Sequence, residues 1–204
     1  RAPGQRAERS DPLVVTLAPM EPRELKGRKI AIPGKMTTAY LALKIMEPDF
    51  EPVVTPFDRV LDLLREKTVD AALVIHEAQL TYSKGGFHLV ADLGRWWKKT
   101  YHLPLPLGAN VLLRSLSGEL KSECCRLMKE SITYALENHD EALNYAMQFA
   151  RDMEAEVADK FVGMYVNDRT LAYGETERKA VQLLLDMGHE KKIIDQPVKI
   201  EFAG

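Results

Sequence analysis

The first hundred residues alternate between short apolar runs and longer segments with helical spacing. The runs at 13–17, 29–32, 53–55 and 71–75 are bounded by proline, glycine or charged residues, which is typical of strands. Between them, 38–46 and 57–67 place apolar side chains three and four positions apart, which predicts helices. Strands that alternate with such helices predict βαβ units and a parallel sheet, so the expected fold class is α/β.

The second half of the chain predicts mostly helices. Ser117 is a suitable N-cap for a helix that ends near 136, and the apolar residues near one face of this helix are Leu120, Cys124, Leu127, Met128 and Ile132. Asp140 predicts the cap of a second helix, a third is expected at 157–166, and a last one at 176–187 with Gly188 just beyond it. Between the two halves, 89–93 and 110–114 predict strands.

This pattern predicts three parts. Residues 28–113 are expected to form a complete α/β lobe. Residues 1–27, a tail with one strand and a linker, and the helical segment 114–204 are expected to belong to a second, incomplete lobe. Amphipathic helices without a sheet of their own need a partner surface for their apolar faces.

Composition excludes several classes of function. Across 204 residues the net charge is −2, and no basic block follows the first residues, so nucleic acid is not an expected partner. No apolar stretch has the length of a membrane span. The start, RAPGQRAERS, lacks the apolar centre of a signal peptide. Cys124 and Cys125 are adjacent and badly placed to bridge, so no disulfide framework is expected and the cytoplasm is the predicted compartment.

The dyad His76–Glu77 follows the apolar run 71–75 directly. Ligands of open α/β sheets bind beyond the carboxyl ends of the strands, and a histidine there can accept and return a proton near neutral pH. His76 is therefore a candidate general base, with a purely structural histidine as the alternative. Glu77 is a candidate for orienting its ring, and Gln79 and Tyr82 are candidates for lining a pocket.

A second polar cluster, residues 33–39, lies between a predicted strand and a predicted helix. Gly34 turns the chain, and Thr37 or Thr38 can cap the helix, which leaves free N–H groups that attract carboxylates. An ordinary helix cap is the alternative. Neither a P-loop nor a dinucleotide fingerprint is present, and the histidines and cysteines lack the spacing of metal ligands. No metal and no nucleotide cofactor is therefore expected.

Four segments in order, IAIPGKMTTAYLAL, VDAALVIHEAQLTY, DLGRWW and LPLPLG, closely resemble the 1,4-dihydroxy-6-naphthoate synthase family of the futalosine route to menaquinone. The resemblance spans about residues 11–194. It implies a fold like type II periplasmic binding proteins, with two α/β lobes and the active site in the cleft. It also implies conversion of cyclic dehypoxanthine futalosine, a small molecule with a carboxylate, without metal or nucleotide. His76 would abstract a proton, and Thr38 and Ala39 would hold polar groups of the substrate.

One departure from the family changes the expectation. Family members begin with a further N-terminal half-lobe that has no counterpart here, so we expect exposed apolar surface and either a homodimer or a separate chain that supplies the missing half. Three alternatives stay open: a solute-binding protein of the same fold, a chorismate dehydratase of the same pathway, and a poorly folded fragment without activity.

Overall fold

The structure is a computed structural model that describes residues 11–75, 78–149, 155–166 and 168–203. The chain divides into two compact units. The sheet unit comprises residues 11–108 and 175–199, and the helical unit comprises the described parts of 109–174 and 200–203.

The sheet unit is built on five strands in the order β3-β2-β4-β1-β5. Their bounds are β1 (Leu13–Thr16), β2 (Lys29–Ile32), β3 (Glu51–Val54), β4 (Ala71–Val74) and β5 (His88–Asp92). Strand β2 runs parallel to β3 and β4, whereas β1 is antiparallel to both of its neighbours. The carboxyl ends of β2, β3, β4 and β5 therefore lie along one edge of the sheet.

Both faces of the three inner strands β1, β2 and β4 are buried, whereas the edge strands β3 and β5 are partly exposed. Because successive side chains of a strand point to opposite faces, Ile30 and Leu73 enter one core and Ala31 and Val74 enter the other. Helices α1 (Thr38–Met46), α4 (Leu93–Tyr101) and α9 (Glu175–Glu190) cover the first face, and α2 (Val60–Arg65) covers the second. The near-continuous apolar runs of the strands follow from this double burial.

Two further short elements belong to the sheet unit. A 3₁₀ helix, Pro22–Leu25, connects β1 to β2 and buries Leu25. Helix α3 (Ala78–Thr81) follows β4 and runs into a second 3₁₀ helix, Tyr82–Gly85, before β5 begins.

The helical unit consists of α5 (Gly118–Glu137), α6 (His139–Met147), α7 (Ala155–Tyr165) and α8 (Asp168–Leu171) in its described residues. Ser117 caps α5 as predicted, because its hydroxyl accepts a hydrogen bond from the Leu120 N–H at 3.2 Å. Among the described side chains of this unit, Ala158 is the one that is buried. The other described side chains of this unit are half-buried or exposed.

Several sequence predictions need correction. The strand predicted at 110–114 is absent: residues 110–113 are irregular and Arg114 begins a turn, and all five residues are exposed, so they have no sheet to pair with. Asn138, not Asp140, precedes α6, and Gly188 lies inside α9, where its missing side chain leaves room for Ile194 and Leu41. Helix α4 was not predicted, since its tryptophans carry no clear helical signal.

The grouping of the elements also differs from the prediction. Strand β1, expected in the incomplete lobe, lies between β4 and β5, where all four of its side chains are buried. Helix α9, expected in the same lobe, packs Leu184 into the core beside α1. The sheet is consequently mixed and not purely parallel. Sequence proximity alone does not reveal that these two distant elements complete one unit.

Candidate functional site

Strands β2 and β4 are adjacent and parallel, with Ile30 opposite Ala71 and Ala31 opposite Ala72. The chain that leaves β2 forms α1 on one face of the sheet. The chain that leaves β4 reaches Tyr82, which packs against the core on the other face. In open α/β sheets, ligands usually bind at the carboxyl ends of two neighbouring parallel strands whose connections diverge to opposite faces, so this edge is the candidate site.

The beginning of α1 follows β2 on one side of this candidate site. The Thr37 hydroxyl accepts a hydrogen bond from the Tyr40 N–H at 3.1 Å and donates one to the Gly34 carbonyl at 2.8 Å. The cap and the preceding turn are thus joined through one side chain. Gly34 has a φ of 154°, a backbone conformation that L side chains rarely adopt.

Both hydrogen bonds of the Thr37 hydroxyl are made within the turn. The groups that are free to bind a ligand therefore belong to the next two residues, Thr38 and Ala39. Within the described part of the chain, the backbone N–H groups of Thr38 and Ala39 have no acceptor, as expected for the first turn of a helix. The Ala39 methyl is buried in the core, so this residue can offer a ligand its amide but not its side chain. Lys35 and Met36, just before the cap, are exposed.

The other side of the candidate site is formed by the residues that follow β4. His76 and Glu77, the predicted base and its neighbour, lie outside the described residues. Gln79 in α3 is buried, with 7% of its surface exposed. Tyr82 is half-buried and contacts the core around Leu64 and Phe87 on the α2 face, so part of its ring serves packing.

Two other residues at this edge were not anticipated from the sequence. Thr55 is buried just after β3, where its N–H donates to the Ile32 carbonyl at 2.9 Å. Asp11 precedes β1, and its carboxylate lies against Gly94 in the first turn of α4. Strand order and register bring these residues to the edge, and neither is visible as a local sequence motif.

The two tryptophans of α4 differ in burial. Trp97 is fully buried in the core, and Trp96 is half-buried beside it, with ring centroids 6.1 Å apart. Trp97 is therefore a core residue, and only Trp96 has surface that solvent can reach.

Burial also shifts the pKa values of two side chains of α1, Tyr40 and Lys44. It raises the pKa of Tyr40, whose ring meets Phe50 edge-to-face at 6.3 Å. It lowers the pKa of Lys44, while Asp49 and Glu47 act in the opposite direction and Lys35 adds to the lowering. The Lys44 ammonium donates to the Pro48 and Phe50 carbonyls at 2.6 and 3.2 Å.

The described residues show neither a metal-ligand cluster nor a membrane-spanning helix. No group of three or more histidine, cysteine, aspartate or glutamate side chains converges there as a cation site. Among the helices of the described residues, none has both the length and the apolar character that a membrane span requires.

Comparison with known sequences identifies related proteins. A family model described as menaquinone biosynthesis matches residues 10–190. A curated 1,4-dihydroxy-6-naphthoate synthase of Thermus thermophilus is 39% identical over 173 residues. That alignment covers 85% of this chain but 63% of the relative, so the chain spans less than two thirds of the relative's length.

Comparison with solved structures identifies the fold. A crystal structure of a protein from Archaeoglobus fulgidus is 44% identical, has a TM-score of 0.85, and is matched over 90% of this chain and 69% of its own. An alkanesulfonate-binding protein of Xanthomonas axonopodis pv. citri has a TM-score of 0.58 at 14% identity, with 93% of this chain and 68% of its own covered. The fold is therefore that of the periplasmic binding proteins, as the sequence predicted.

Proposed function

Since the chain belongs to the menaquinone biosynthesis family, we propose that it forms the catalytic part of a 1,4-dihydroxy-6-naphthoate synthase. The reaction is the conversion of cyclic dehypoxanthine futalosine to 1,4-dihydroxy-6-naphthoate. The observation that carries this proposal is the 39% identity to a relative of that name. Fold alone does not decide function, so the likeness to a binding protein does not favour transport over chemistry.

In the proposed reaction His76 is the general base. It removes an acidic C–H proton of the bound substrate, and elimination then gives the aromatic product. Its sequence position supports this role, because it follows by two residues the last residue of β4, whose carboxyl end lies at the same edge as α1. Proton transfer by a positioned base contributes about 10²–10⁴ in rate. Glu77 is proposed to orient the imidazole.

The beginning of α1 is proposed to hold the substrate. The N–H groups of Thr38 and Ala39 would donate to a substrate carboxylate, aided by the partial positive charge of the helix N-terminus. Gly34 and Thr37 would maintain the turn that presents these groups, through the hydrogen bond between the Thr37 hydroxyl and the Gly34 carbonyl. Gln79 and Tyr82 are proposed to border the same site.

The assay that tests this function measures the naphthoate product by its ultraviolet absorbance after chromatography. The purified chain is incubated with cyclic dehypoxanthine futalosine, alone and together with the part of the Thermus thermophilus relative that this chain does not match. Product in either mixture supports the proposal. Binding of the substrate without product in both would favour a solute-binding protein, and turnover of chorismate instead would identify a chorismate dehydratase.

The partner and the compartment remain proposals as well. We propose a small-molecule substrate with a carboxylate as the ligand, and a cytoplasmic location. The sequence left a homodimer and a separate complementing chain as alternative partners, and light scattering of the purified chain would measure which of them forms.

A further inference from the structure

The turn between β2 and α1 is fixed at both of its ends. Gly34 has a φ of 154°, and its carbonyl accepts a hydrogen bond from the Thr37 hydroxyl at 2.8 Å. The same hydroxyl accepts from the Tyr40 N–H at 3.1 Å, which ties the turn to the first turn of the helix. The two residues that these hydrogen bonds enclose, Lys35 and Met36, are therefore held at a defined place beside the candidate site.

Met36 is the more unusual of the two. Its side chain is 100% exposed, and the next most exposed of the large apolar side chains in the described ranges is Val111, at 86%. A single exposed apolar residue is normal on a protein surface and needs no role. This one differs in its position, because it lies two residues before Thr38, whose N–H is available to a ligand.

Met36 is close enough to the beginning of α1 to contact a ligand that binds there. A chain spans at most about 3.6 Å per residue, so the Cα of Met36 lies within about 7 Å of that of Thr38 and within about 11 Å of that of Ala39. The methionine side chain is unbranched and adds three rotatable bonds. When a carboxylate accepts from these two amides, a ring attached to it is therefore within reach of the Met36 thioether.

The charge of the turn also suits such a ligand. Residues 33–39 contain one cation, Lys35, and no acidic residue, so a carboxylate meets no like charge within this segment. The turn thus offers free amides and a positive charge to the carboxylate, and an apolar side chain to whatever the carboxylate carries.

We propose that Met36 is a specificity-determining residue, whose thioether packs on the ring of the substrate while α1 binds the carboxylate. This inference rests on the proposed function, from which it takes a ring-bearing carboxylate held by Thr38 and Ala39. Methionine suits the role because its sulfur is polarizable and makes favourable contacts with aromatic rings. The ligand class is a carboxylate on a fused ring, and a small carboxylate without a ring gains nothing from Met36.

The test compares two probes that share a carboxylate and differ in the ring. The full chain is titrated with naphthalene-2-carboxylate and, separately, with acetate, and the amide NMR resonances of Thr38 and Ala39 report binding at α1. Met36→Gln keeps the length of the side chain and replaces the thioether by an amide. We expect it to weaken binding of naphthalene-2-carboxylate about tenfold, equivalent to about 1.4 kcal/mol, and to leave acetate binding unchanged.

Two further variants serve as controls. Met36→Leu keeps an apolar side chain and should bind naphthalene-2-carboxylate nearly as the wild type does. Leu17→Gln makes a comparable change at another exposed apolar residue, since Leu17 is 37% exposed. Because β1 is antiparallel to β4, Leu17 leaves the sheet at the edge opposite the candidate site. This variant should bind both probes as the wild type does.

The methyl group of Met36 gives a second readout without a change in affinity. A ring that packs on the thioether shifts the Cε methyl resonance upfield through its ring current. Saturation with naphthalene-2-carboxylate should produce this shift, and saturation with acetate should not. The resonance is assigned by its loss from the spectrum of Met36→Leu.

The possible failures are distinguishable. Met36→Gln that binds naphthalene-2-carboxylate as tightly as the wild type overturns the inference, and so does an equal loss of both probes. If neither probe shifts the Thr38 and Ala39 resonances, the proposed binding at α1 is wrong and the inference falls with it. Formation of naphthoate is measured separately, so a chain that discriminates the probes through Met36 but forms no product would contradict the proposed reaction and support this inference.

Discussion

The carboxylate of Asp11 lies against the Cα of Gly94, in the first turn of α4. Register explains the contact. Leu13 is opposite both Val74 of β4 and Asp92 of β5, so the residues before β1 reach the same edge as the carboxyl ends of those strands. An acidic side chain near a helix N-terminus is electrostatically favourable. The Asp11 carboxylate thus lies at the beginning of α4. The beginning of α1, at the same edge of the sheet, is proposed to bind the carboxylate of the substrate.

Substitution Gly94→Ala should destabilise the sheet unit. A Cβ at this position would overlap the Asp11 carboxylate, whose Oδ2 atom is buried, and overpacking typically costs about 1–3 kcal/mol. Urea unfolding followed by circular dichroism measures this loss. Gly108→Ala is the control, because a Cβ there meets no atom within 4 Å. Equal stabilities of the two variants would show that Asp11 moves aside without cost.

The two threonines of the α1 turn should separate stability from binding. Thr37→Ala removes the hydroxyl that accepts from the Tyr40 N–H, and loss of such a cap costs about 1 kcal/mol. Thr38→Ala leaves the cap intact and should change the free energy of unfolding by less than about 0.5 kcal/mol. Thr37→Ser should restore the stability that alanine loses. A larger loss for Thr38→Ala than for Thr37→Ala would contradict this assignment of the cap.

Alkaline pH should destabilise the protein partly through Tyr40. Burial raises the pKa of Tyr40 above its ordinary value near 10.0. The unfolded chain therefore releases this proton at lower pH than the folded chain does. Stability is intact below about pH 10 and is lost as the pH rises toward the folded pKa. Urea unfolding at several pH values should show a shallower alkaline decline for Tyr40→Phe than for the wild type. Equal alkaline declines in stability for the two proteins would show that Tyr40 does not contribute. The lowered pKa of Lys44 does not affect this comparison, because both proteins contain Lys44.

The local sequence pattern was sufficient to predict the strand and the helix on one side of the candidate site. The bounds of β2 and α1 agree with the sequence prediction, because an apolar run followed by Pro-Gly and a threonine cap gives clear signals at both ends. The expectation of a turn at Gly34 and a threonine cap at the start of α1 also agrees with the structure.

Long-range relationships were not accessible in the same way. Strand β1 reads as an isolated apolar run, and only its pairing with β4 and β5 shows that it completes the sheet. Asp11 and Thr55 reach the edge through register, which no local motif encodes. Helix α9 packs in the same core as α1, although more than a hundred residues separate the two helices in the sequence. Its amphipathic spacing therefore predicts a helix but not where that helix packs.

The proposed chemistry is tested most directly by the rate of naphthoate formation in His76→Ala. The control is His88→Ala, because His88 is an exposed residue of β5 with no role in the proposed reaction. Turnover by His76→Ala should fall by about 10²-fold or more, while binding of the substrate at α1, measured by calorimetry, and the circular dichroism spectrum are retained. His88→Ala should turn over at the wild-type rate. A His76→Ala protein that forms naphthoate as fast as the wild type would contradict the account.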